Sequence, residues 1–210
     1  MSCRIDAMKI LPGLSADLSE IRQAIRNKYA AVSVSAAGRF EYPVGKEGPR
    51  ALGYDPDLLD RAPAQFFESS CPVGNPFSLG TISPGSAVLD YGCGAGFDLY
   101  VAGMMAGDQG RVCGIDLTEE MAERARRNLA LAGVLNFEVK TVDSESIPYA
   151  DSSFDVVISN GVINLSPCKQ TLFREIYRVL KPGGKLQFAD IVLEQALPAG
   201  LSASAESWSQ

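Results

Sequence analysis

Three glycines at alternate positions follow a short apolar run, and an acidic residue ends the next apolar run. The glycines are Gly92, Gly94 and Gly96. Glycines at a strand-to-helix turn let the backbone pass close under a bound ligand. Asp116 comes 20 residues after Gly96, where an open α/β sheet places the carboxylate that binds a ribose diol. The pattern predicts a site for a ribose-bearing cofactor.

The glycine spacing argues against a dinucleotide as that cofactor. The fingerprint G-x-G-x-x-G would need a glycine at the position of Phe97. A nicotinamide or flavin cofactor is therefore disfavoured. Each half of the pattern also has a plainer interpretation, because a glycine-rich turn can serve flexibility alone and an Asp after a strand can cap a helix.

The composition excludes several kinds of chemistry. The 210 residues include no histidine, which excludes a Ser-His-Asp or Cys-His hydrolase and a histidine-ligated metal. No two cysteines have C-x-x-C spacing, so we expect no metal site. The net charge is -6 and the basic residues are scattered, so nucleic acid is not an expected partner. No apolar run approaches membrane-spanning length and the N-terminus lacks a signal-peptide layout, which predicts a cytoplasmic protein without a membrane partner.

Strand-like and helix-like patterns alternate along the chain, and the elements that they predict would position the glycines and Asp116. This alternation predicts an α/β fold with a doubly wound parallel sheet and right-handed crossovers. Ligands bind at the carboxyl ends of the strands in such sheets, where four polar residues fall: Asp90, Asp116, Asp143 and Asn160. The patterns predict strands at Val88–Leu89, Arg111–Ile115, Phe137–Thr141, Phe154–Ser159 and Lys185–Leu193, and helices after Gly96, over Glu119–Ala132 and over Cys168–Leu180.

The N-terminal part carries one amphipathic helix. Leu18, Ile21, Ile25 and Tyr29 are spaced three and four residues apart, which places them on one helix face. This helix either packs on the sheet or forms a lid that lays Tyr29 over a ligand. We divide the chain into an N-terminal appendage and candidate lid at 1–77, a cofactor-binding domain at 78–194 and an Ala- and Ser-rich tail at 195–210.

Several motifs together resemble the class I S-adenosylmethionine (SAM)-dependent methyltransferases, whose fold is a Rossmann-like doubly wound sheet. These motifs are Val-Leu-Asp-Tyr-Gly-Cys-Gly-Ala-Gly at 88–96, Asp116, Asp143 before Ile147-Pro148, Phe-Asp-Val-Val at 154–157 and Arg-Val-Leu-Lys-Pro-Gly-Gly at 178–184. Within that superfamily the chain is similar to the arsenite methyltransferases. This similarity lies in Gly96-Phe97-Asp98, Gly-Ile-Asp-Leu-Thr at 114–118, Ile-Ser-Asn-Gly-Val-Ile-Asn-Leu-Ser-Pro at 158–167 and Gly74-Asn75-Pro76.

The resemblance implies SAM as cofactor, a small-molecule methyl acceptor and a role for each matched residue. Around methionine and ribose, it implies Gly92, Gly94 and Gly96 lining the methionine part, Asp90 fixing that loop, Asp116 accepting both ribose hydroxyls and Asn160 near the methionyl end. Around adenine, it implies Leu117 and Met121 on either side, Asp143 on the amino group and Ser144 beside it. Asp143 could instead cap a turn, and Met121 could belong to the core.

The arsenite methyltransferases hold trivalent arsenic with cysteine thiolates, and this chain departs from them there. One thiol position corresponds to Gly161, a second directly precedes Gly74, and a third follows a W-x-x-C segment that would begin at Trp208. Trivalent arsenic prefers several soft ligands. The cysteine nearest the second position is Cys71, which has either a substrate role or a packing role.

These observations predict a SAM-dependent methyltransferase that acts on a small molecule and is arsenite methyltransferase-like. Cys71 and Asn160 are the candidate catalytic residues, and Tyr29 is a candidate cofactor contact. The alternative is a SAM-binding fragment that is catalytically impaired or regulatory. Only about 17 residues follow Leu193, so the fold looks truncated after its fifth strand. A fragment, a truncated gene product or a homodimer formed through the open sheet edge would each account for this.

Overall fold

The computed structural model describes residues 17–192. Its helices are α1 Leu18–Val34, α2 Glu47–Ala51, α3 Pro56–Arg61, α4 Phe97–Ala106, α5 Glu119–Leu131 and α6 Lys169–Val179. Its strands are β1 Ala87–Tyr91, β2 Arg111–Asp116, β3 Phe137–Thr141, β4 Phe154–Asn160 and β5 Leu180–Ala189. Short 3₁₀ helices occupy Ala64–Ser69, Pro76–Leu79 and Ile163–Leu165. Leu193 and the predicted tail at 195–210 lie outside the described residues.

The five strands form one parallel sheet in the order β3-β2-β1-β4-β5. The chain runs outward from β1 to β3, then crosses back and continues through β4 to β5. This reversal confirms the predicted doubly wound sheet and creates a crevice between the carboxyl ends of β1 and β4. Ligands of doubly wound proteins bind in that crevice.

The strand residues alternate between two core layers, as buried parallel strands require. One layer packs β1 and β4 against α4 and α5, and includes Val88, Leu99, Leu129 and Ile158. The other layer packs the opposite sheet face against α6, and includes Leu89, Ile115, Phe154, Leu172 and Ile176. The glycine turn after β1 is therefore held between two packed layers.

The N-terminal helix α1 begins at a capping box in which the Asp17 carboxylate accepts from Ser19 N–H at 3.0 Å. Its apolar stripe packs against α5, with Val32 beside Met121 in a small third cluster. No helix within residues 17–192 is long and apolar enough to cross a membrane. The 3₁₀ helix Pro76–Leu79 continues across the predicted boundary between 77 and 78. The division of the chain into domains stays a prediction.

The fifth strand starts earlier than the sequence pattern predicts. Leu180 already pairs with Phe154, and the next matched pair is Val156 with Lys185. The intervening Lys181–Gly184 segment bulges from the ladder, with Gly183 at a φ of 80°. The sequence pattern predicts that the Pro-Gly-Gly run separates the helix from the strand. In the structure this run forms a bulge within β5, because Leu180 before it is already extended and packs into the core. β5 is the edge strand of the described sheet, and the homodimer formed through an open edge stays a prediction.

Replacement of Gly96, which lies outside the cavity lining, is expected to lower stability. Gly96 has a φ of 89°, and a Cβ there would lie 3.1 Å from the Ala125 Cβ and 3.2 Å from its Cα. Gly96→Ala should cost about 1–2 kcal/mol for the left-handed backbone and about 1–3 kcal/mol more for crowding α5.

Gly133→Ala is the matched control, because Gly133 has a φ of 72° and open space around the added Cβ. Urea unfolding of the two variants should show a larger loss for Gly96→Ala. Equal losses would show that the contact with α5 relaxes without cost.

Candidate functional site

A cavity opens at the carboxyl ends of β1, β2 and β4 and is covered by α1. All but two of the predicted site residues line it. The predicted residues that line it are Tyr29, Cys71, Asp90, Gly92, Gly94, Asp116, Leu117, Met121, Ser144 and Asn160. The folding of the sheet therefore brings together side chains that are far apart in the sequence. The cavity is the candidate cofactor site.

Gly96 and Asp143 are the two predicted residues that do not line this cavity. Gly96 caps α4 and spaces it from α5. Asp143 is exposed and lines a neighbouring hollow beside α1, where its carboxylate accepts from Ser144 Oγ at 3.1 Å. Leu117 and Ser144 border both spaces, so Asp143 lies beyond the rim of the main cavity. The predicted contact of Asp143 with adenine stays a prediction.

Asp116 connects the glycine turn to the start of α5. Its Oδ2 accepts from Gly94 N–H at 2.8 Å, and its Oδ1 accepts from Thr118 N–H at 2.8 Å. Only 9% of the residue is exposed, and this burial raises the pKa of the Asp116 carboxyl to about 6. A carboxylate has roughly four lone-pair positions. Asp116 can therefore hold the loop and still accept hydrogen bonds from a ligand in the cavity.

The raised pKa of Asp116 predicts opposite pH trends for folding and for ligand binding. Between the ordinary carboxyl pKa of 3.8 and about 6, the folded protein binds more protons than the unfolded chain. The contribution of Asp116 to the stability of the unliganded protein should therefore fall as pH rises through this interval, whereas carboxyls whose pKa is lowered by ion pairing, such as those of Asp155 and Glu175, contribute in the opposite direction. Hydroxyl donors prefer the ionised carboxylate, so SAM affinity should fall by up to about tenfold per pH unit below pH 6.

Calorimetric titration and urea unfolding at several pH values would test both trends. Asp116→Asn cannot ionise, so the variant should lose the part of the pH dependence of binding that Asp116 contributes, while the part contributed by Asp90 remains. The buried carboxyl of Asp98 also has a pKa raised to about 6 by burial, so it contributes to the stability trend in both proteins. A stability difference between the parent protein and Asp116→Asn that does not fall as pH rises, or a SAM affinity with the same pH dependence in both proteins, would contradict the assignment of Asp116.

Asp90 is a buried carboxylate without a hydrogen-bond donor. It is 2% exposed, lines the cavity, and receives no hydrogen bond from any residue in the described range 17–192. Burial raises its pKa, and the neighbouring carboxylates of Asp98 and Asp116 raise it further. Burying a carboxyl without a partner is costly. A cationic group in the cavity would supply the missing partner.

Two glycines of the turn after β1 line the cavity and have different roles. A Cβ on Gly92 would lie 2.4 Å from Val162 Cγ2, so Gly92 lets the turn pass beneath the loop after β4. A Cβ on Gly94 would meet nothing within 4 Å. Because Gly94 lines the cavity, its bare backbone forms a cradle that a ligand can approach closely.

Asn160, a candidate catalytic residue, has an amide that is engaged at both ends. Its Oδ1 accepts from Val73 N–H at 3.1 Å and from Gly74 N–H at 3.2 Å. Its Nδ2 donates to Asp98 Oδ2 at 3.0 Å and lies 3.1 Å from the Tyr54 hydroxyl. The Tyr54 hydroxyl donates to Asp98 Oδ1 at 2.8 Å. Asn160 thus positions the 73–74 segment, and its catalytic role stays a prediction.

Cys71 and Tyr29 line the cavity with neutral groups. Burial raises the pKa of the Cys71 thiol to about 12, against a smaller opposing effect of Lys28. Burial also raises the pKa of the Tyr29 hydroxyl above its ordinary value. Both side chains keep their protons at neutral pH, so neither is a ready nucleophile or base.

A buried cluster that connects three segments is absent from the sequence prediction. Arg22 on α1 donates to Glu145 Oε2 at 2.6 Å, and Ser166 Oγ donates to Glu145 Oε1 at 2.9 Å. All three side chains line the cavity. The available signal was the position of Arg22, three residues before Ile25 and seven before Tyr29 on the same helix face. The hydrogen bond between Tyr54 and Asp98 is also absent from the sequence prediction, because the two residues are far apart in the chain and no local pattern relates them.

The doubly wound parallel sheet and the glycine turn after β1 define a Rossmann-like fold. The profile of a family described as a methyltransferase domain matches residues 82–210. The chain therefore belongs to the methyltransferase domain family.

Two arsenite methyltransferases are among the proteins whose sequences are similar to this chain. The chain is 36% identical over 196 residues to an arsenite methyltransferase of Halobacterium salinarum, covering 87% of this chain and 50% of that protein. It is 40% identical over 132 residues to an arsenite methyltransferase of Aquipseudomonas alcaligenes, covering 58% of this chain and 38% of that protein. The chain thus spans half or less of the length of these relatives.

Two solved structures share the fold. An arsenic(III) S-adenosylmethionine methyltransferase from Chlamydomonas reinhardtii superposes with a TM-score of 0.62 at 35% identity, covering 76% of this chain and 53% of that chain. A SAM-dependent methyltransferase from Aquifex aeolicus superposes with a TM-score of 0.53 at 26% identity, covering 75% of this chain and 80% of that chain. Both likenesses support the predicted class I methyltransferase fold.

Proposed function

We propose that this chain binds SAM and transfers its methyl group to a small-molecule acceptor. The observation that carries the proposal is the unpartnered, buried Asp90 carboxylate beside the open cradle at Gly94. The methionyl ammonium of SAM is the kind of cation that such a carboxylate requires. The residues present therefore fit this cofactor.

In this proposal, different residues of the cavity contact different parts of SAM. Asp116 accepts hydrogen bonds from the ribose hydroxyls, while Leu117 and Met121 give the adenine ring apolar contacts. Gly92 and Gly94 let the methionine part lie against the backbone. SAM itself supplies a methyl group on a good leaving group, so the protein needs mainly to orient the reactants and exclude water. The helix α1 provides that cover, with Tyr29 and Arg22 facing the cavity.

Arsenite is a weaker candidate for the acceptor. A Cβ on Gly161 would lie 3.2 Å from both Val73 methyl groups. In the family that the chain resembles, these two positions carry thiols, so Val73 here faces a glycine where two thiolates would meet. Cys71 is the remaining nearby thiol, and its raised pKa keeps it protonated. The alternative of a SAM-binding regulatory fragment predicts the same binding without turnover.

Calorimetric titrations with SAM, S-adenosylhomocysteine and NAD test the cofactor assignment. We expect binding of the first two and none of the third. Incubation with methyl-labelled SAM and a set of acceptors, including arsenite with glutathione, then tests transfer. Tight SAM binding without a methylated product from any acceptor would favour the regulatory alternative. NAD binding without SAM binding would contradict the proposal.

A further inference from the structure

Two loops that lie outside the strands contribute to the lining of the cavity. The first contains residues 66–72, and the second contains residues 161–167. They approach each other where Gly161 faces Val73. Once the adenosyl and methionyl groups lie over β2 and β1, an acceptor must enter between these loops. The side chains of these loops that line the cavity are mainly apolar: Phe66, Pro72, Val162, Leu165 and Pro167.

The charges around the cavity disfavour an anionic acceptor. Four carboxylate side chains line it: Asp90, Asp98, Asp116 and Glu145. Within the part of the chain that the structure describes, Arg22 is the one cationic side chain in the lining. Its guanidinium is already paired with Glu145 at 2.6 Å, and the pair is largely buried. An acceptor carboxylate or phosphate would therefore meet repulsion without a free counterion.

The same side chains are poorly placed to remove a proton from an acceptor. The carboxylates of Asp98, Asp116 and Glu145 each hold two hydrogen-bond donors through their two oxygens. Asp90 has free lone pairs, but it lies at the end of β1 under the glycine turn. The Cys71 thiol already carries its proton. Among the cavity-lining carboxylates, that of Glu145 contacts the 161–167 loop, and its two oxygens are already engaged by Arg22 and Ser166, so it is poorly placed to take a proton from a thiol or hydroxyl acceptor.

We propose, building on the proposed function, that the acceptor is a neutral dialkyl chalcogenide, a thioether or a selenoether. Such a molecule presents a soft lone pair without losing a proton and offers alkyl groups to the apolar loops. Its lone pair forms the new bond to the methyl carbon, and the carbon–sulfur bond of SAM breaks with its electron pair remaining on sulfur. The products are neutral-sulfur S-adenosylhomocysteine and a trialkyl sulfonium or selenonium cation, and no proton moves. The carboxylates that surround the cavity favour this cationic product.

The test compares four acceptors with the full chain and SAM. They are ethyl methyl sulfide, dimethyl selenide, ethanethiol and the carboxylated thioether methylthioacetate. Mass spectrometry measures S-adenosylhomocysteine and the methylated product. We expect the neutral sulfide or selenide to be methylated at least about ten times faster than methylthioacetate. The rates with ethyl methyl sulfide and with dimethyl selenide show whether sulfur or selenium is the preferred nucleophile. Above pH 7 the rate should be independent of pH, whereas a thiol would react faster as pH rises towards its own pKa.

Glu145 variants test the electrostatic part of the inference. Glu145→Gln leaves the Arg22 guanidinium without its counterion, so the preference for the neutral sulfide over methylthioacetate should fall about tenfold. Glu145→Asp keeps the charge and should keep the preference, even if stability falls. A change of equal size in both variants would show a packing effect and overturn the electrostatic explanation.

The outcomes separate this inference from the proposed function. Turnover of ethanethiol or methylthioacetate in preference to both neutral chalcogenides overturns the acceptor class and leaves methyl transfer in place. Calorimetric binding of SAM without turnover of either chalcogenide also overturns the acceptor class. Failure to bind SAM overturns the proposed function itself.

Discussion

Replacing Asp116 with alanine is expected to weaken SAM binding by about 10- to 100-fold. A hydrogen bond to a charged group contributes about 1.5–3 kcal/mol, and 1.4 kcal/mol corresponds to a factor of ten in the dissociation constant. The variant also removes the acceptor for the Gly94 and Thr118 N–H groups, so the glycine turn loses its anchor to β2. Isothermal titration calorimetry with SAM measures the loss directly.

Asp108→Ala is the matched control for this prediction. Asp108 is an exposed carboxylate in the loop between α4 and β2, at the opposite end of the strands. Its removal lowers the net negative charge equally but leaves the cavity unchanged, so SAM affinity should stay within about twofold, since distant exposed charges are screened by salt. If Asp116→Ala binds SAM as well as Asp108→Ala does, Asp116 does not contact the cofactor.

Introducing two cysteines, as Val73→Cys with Gly161→Cys, is expected to create a binding site for trivalent arsenic. The two positions face each other, with 3.2 Å between the Val73 methyl groups and the place of a Gly161 Cβ. Gly161→Cys alone would crowd Val73, and the φ of 69° at Gly161 adds strain. The second substitution removes one of the two methyl groups and supplies a second soft ligand.

Retained arsenic after dialysis against arsenite, measured by elemental mass spectrometry, should rise at least about tenfold, towards one atom per chain. The paired serine variant, Val73→Ser with Gly161→Ser, has a similar shape without thiols and should retain no more than the parent protein. Equal retention by the cysteine and serine pairs would show that the two loops do not bring these positions close enough to bind one atom. Methylation of the retained arsenic would further show that the site lies within reach of SAM.

Much of the fold follows from the sequence, because the strand and helix patterns are local. The predicted ends of β2 at Asp116 and of β3 at Thr141 agree with the structure. β2 is a mainly apolar segment, β3 alternates apolar and polar residues, and turn residues follow both strands. The glycine turn was recognisable because only glycine tolerates the backbone angles found there. The start of β5 was misplaced, because Lys181–Gly184 reads as a break and folds as a bulge.

The sequence by itself determined the class of fold and the strand ends where the candidate site lies, and it predicted the kind of cofactor. Those features depend on residue type and on short spacings along the chain. The tertiary structure alone decided that Gly96 packs against α5, that Asn160 ties down the 73–74 segment and that Arg22 pairs with Glu145. These contacts join residues far apart in the chain, so they depend on how the packed layers bring side chains together. For the same reason, only the tertiary structure shows that Val73 faces Gly161.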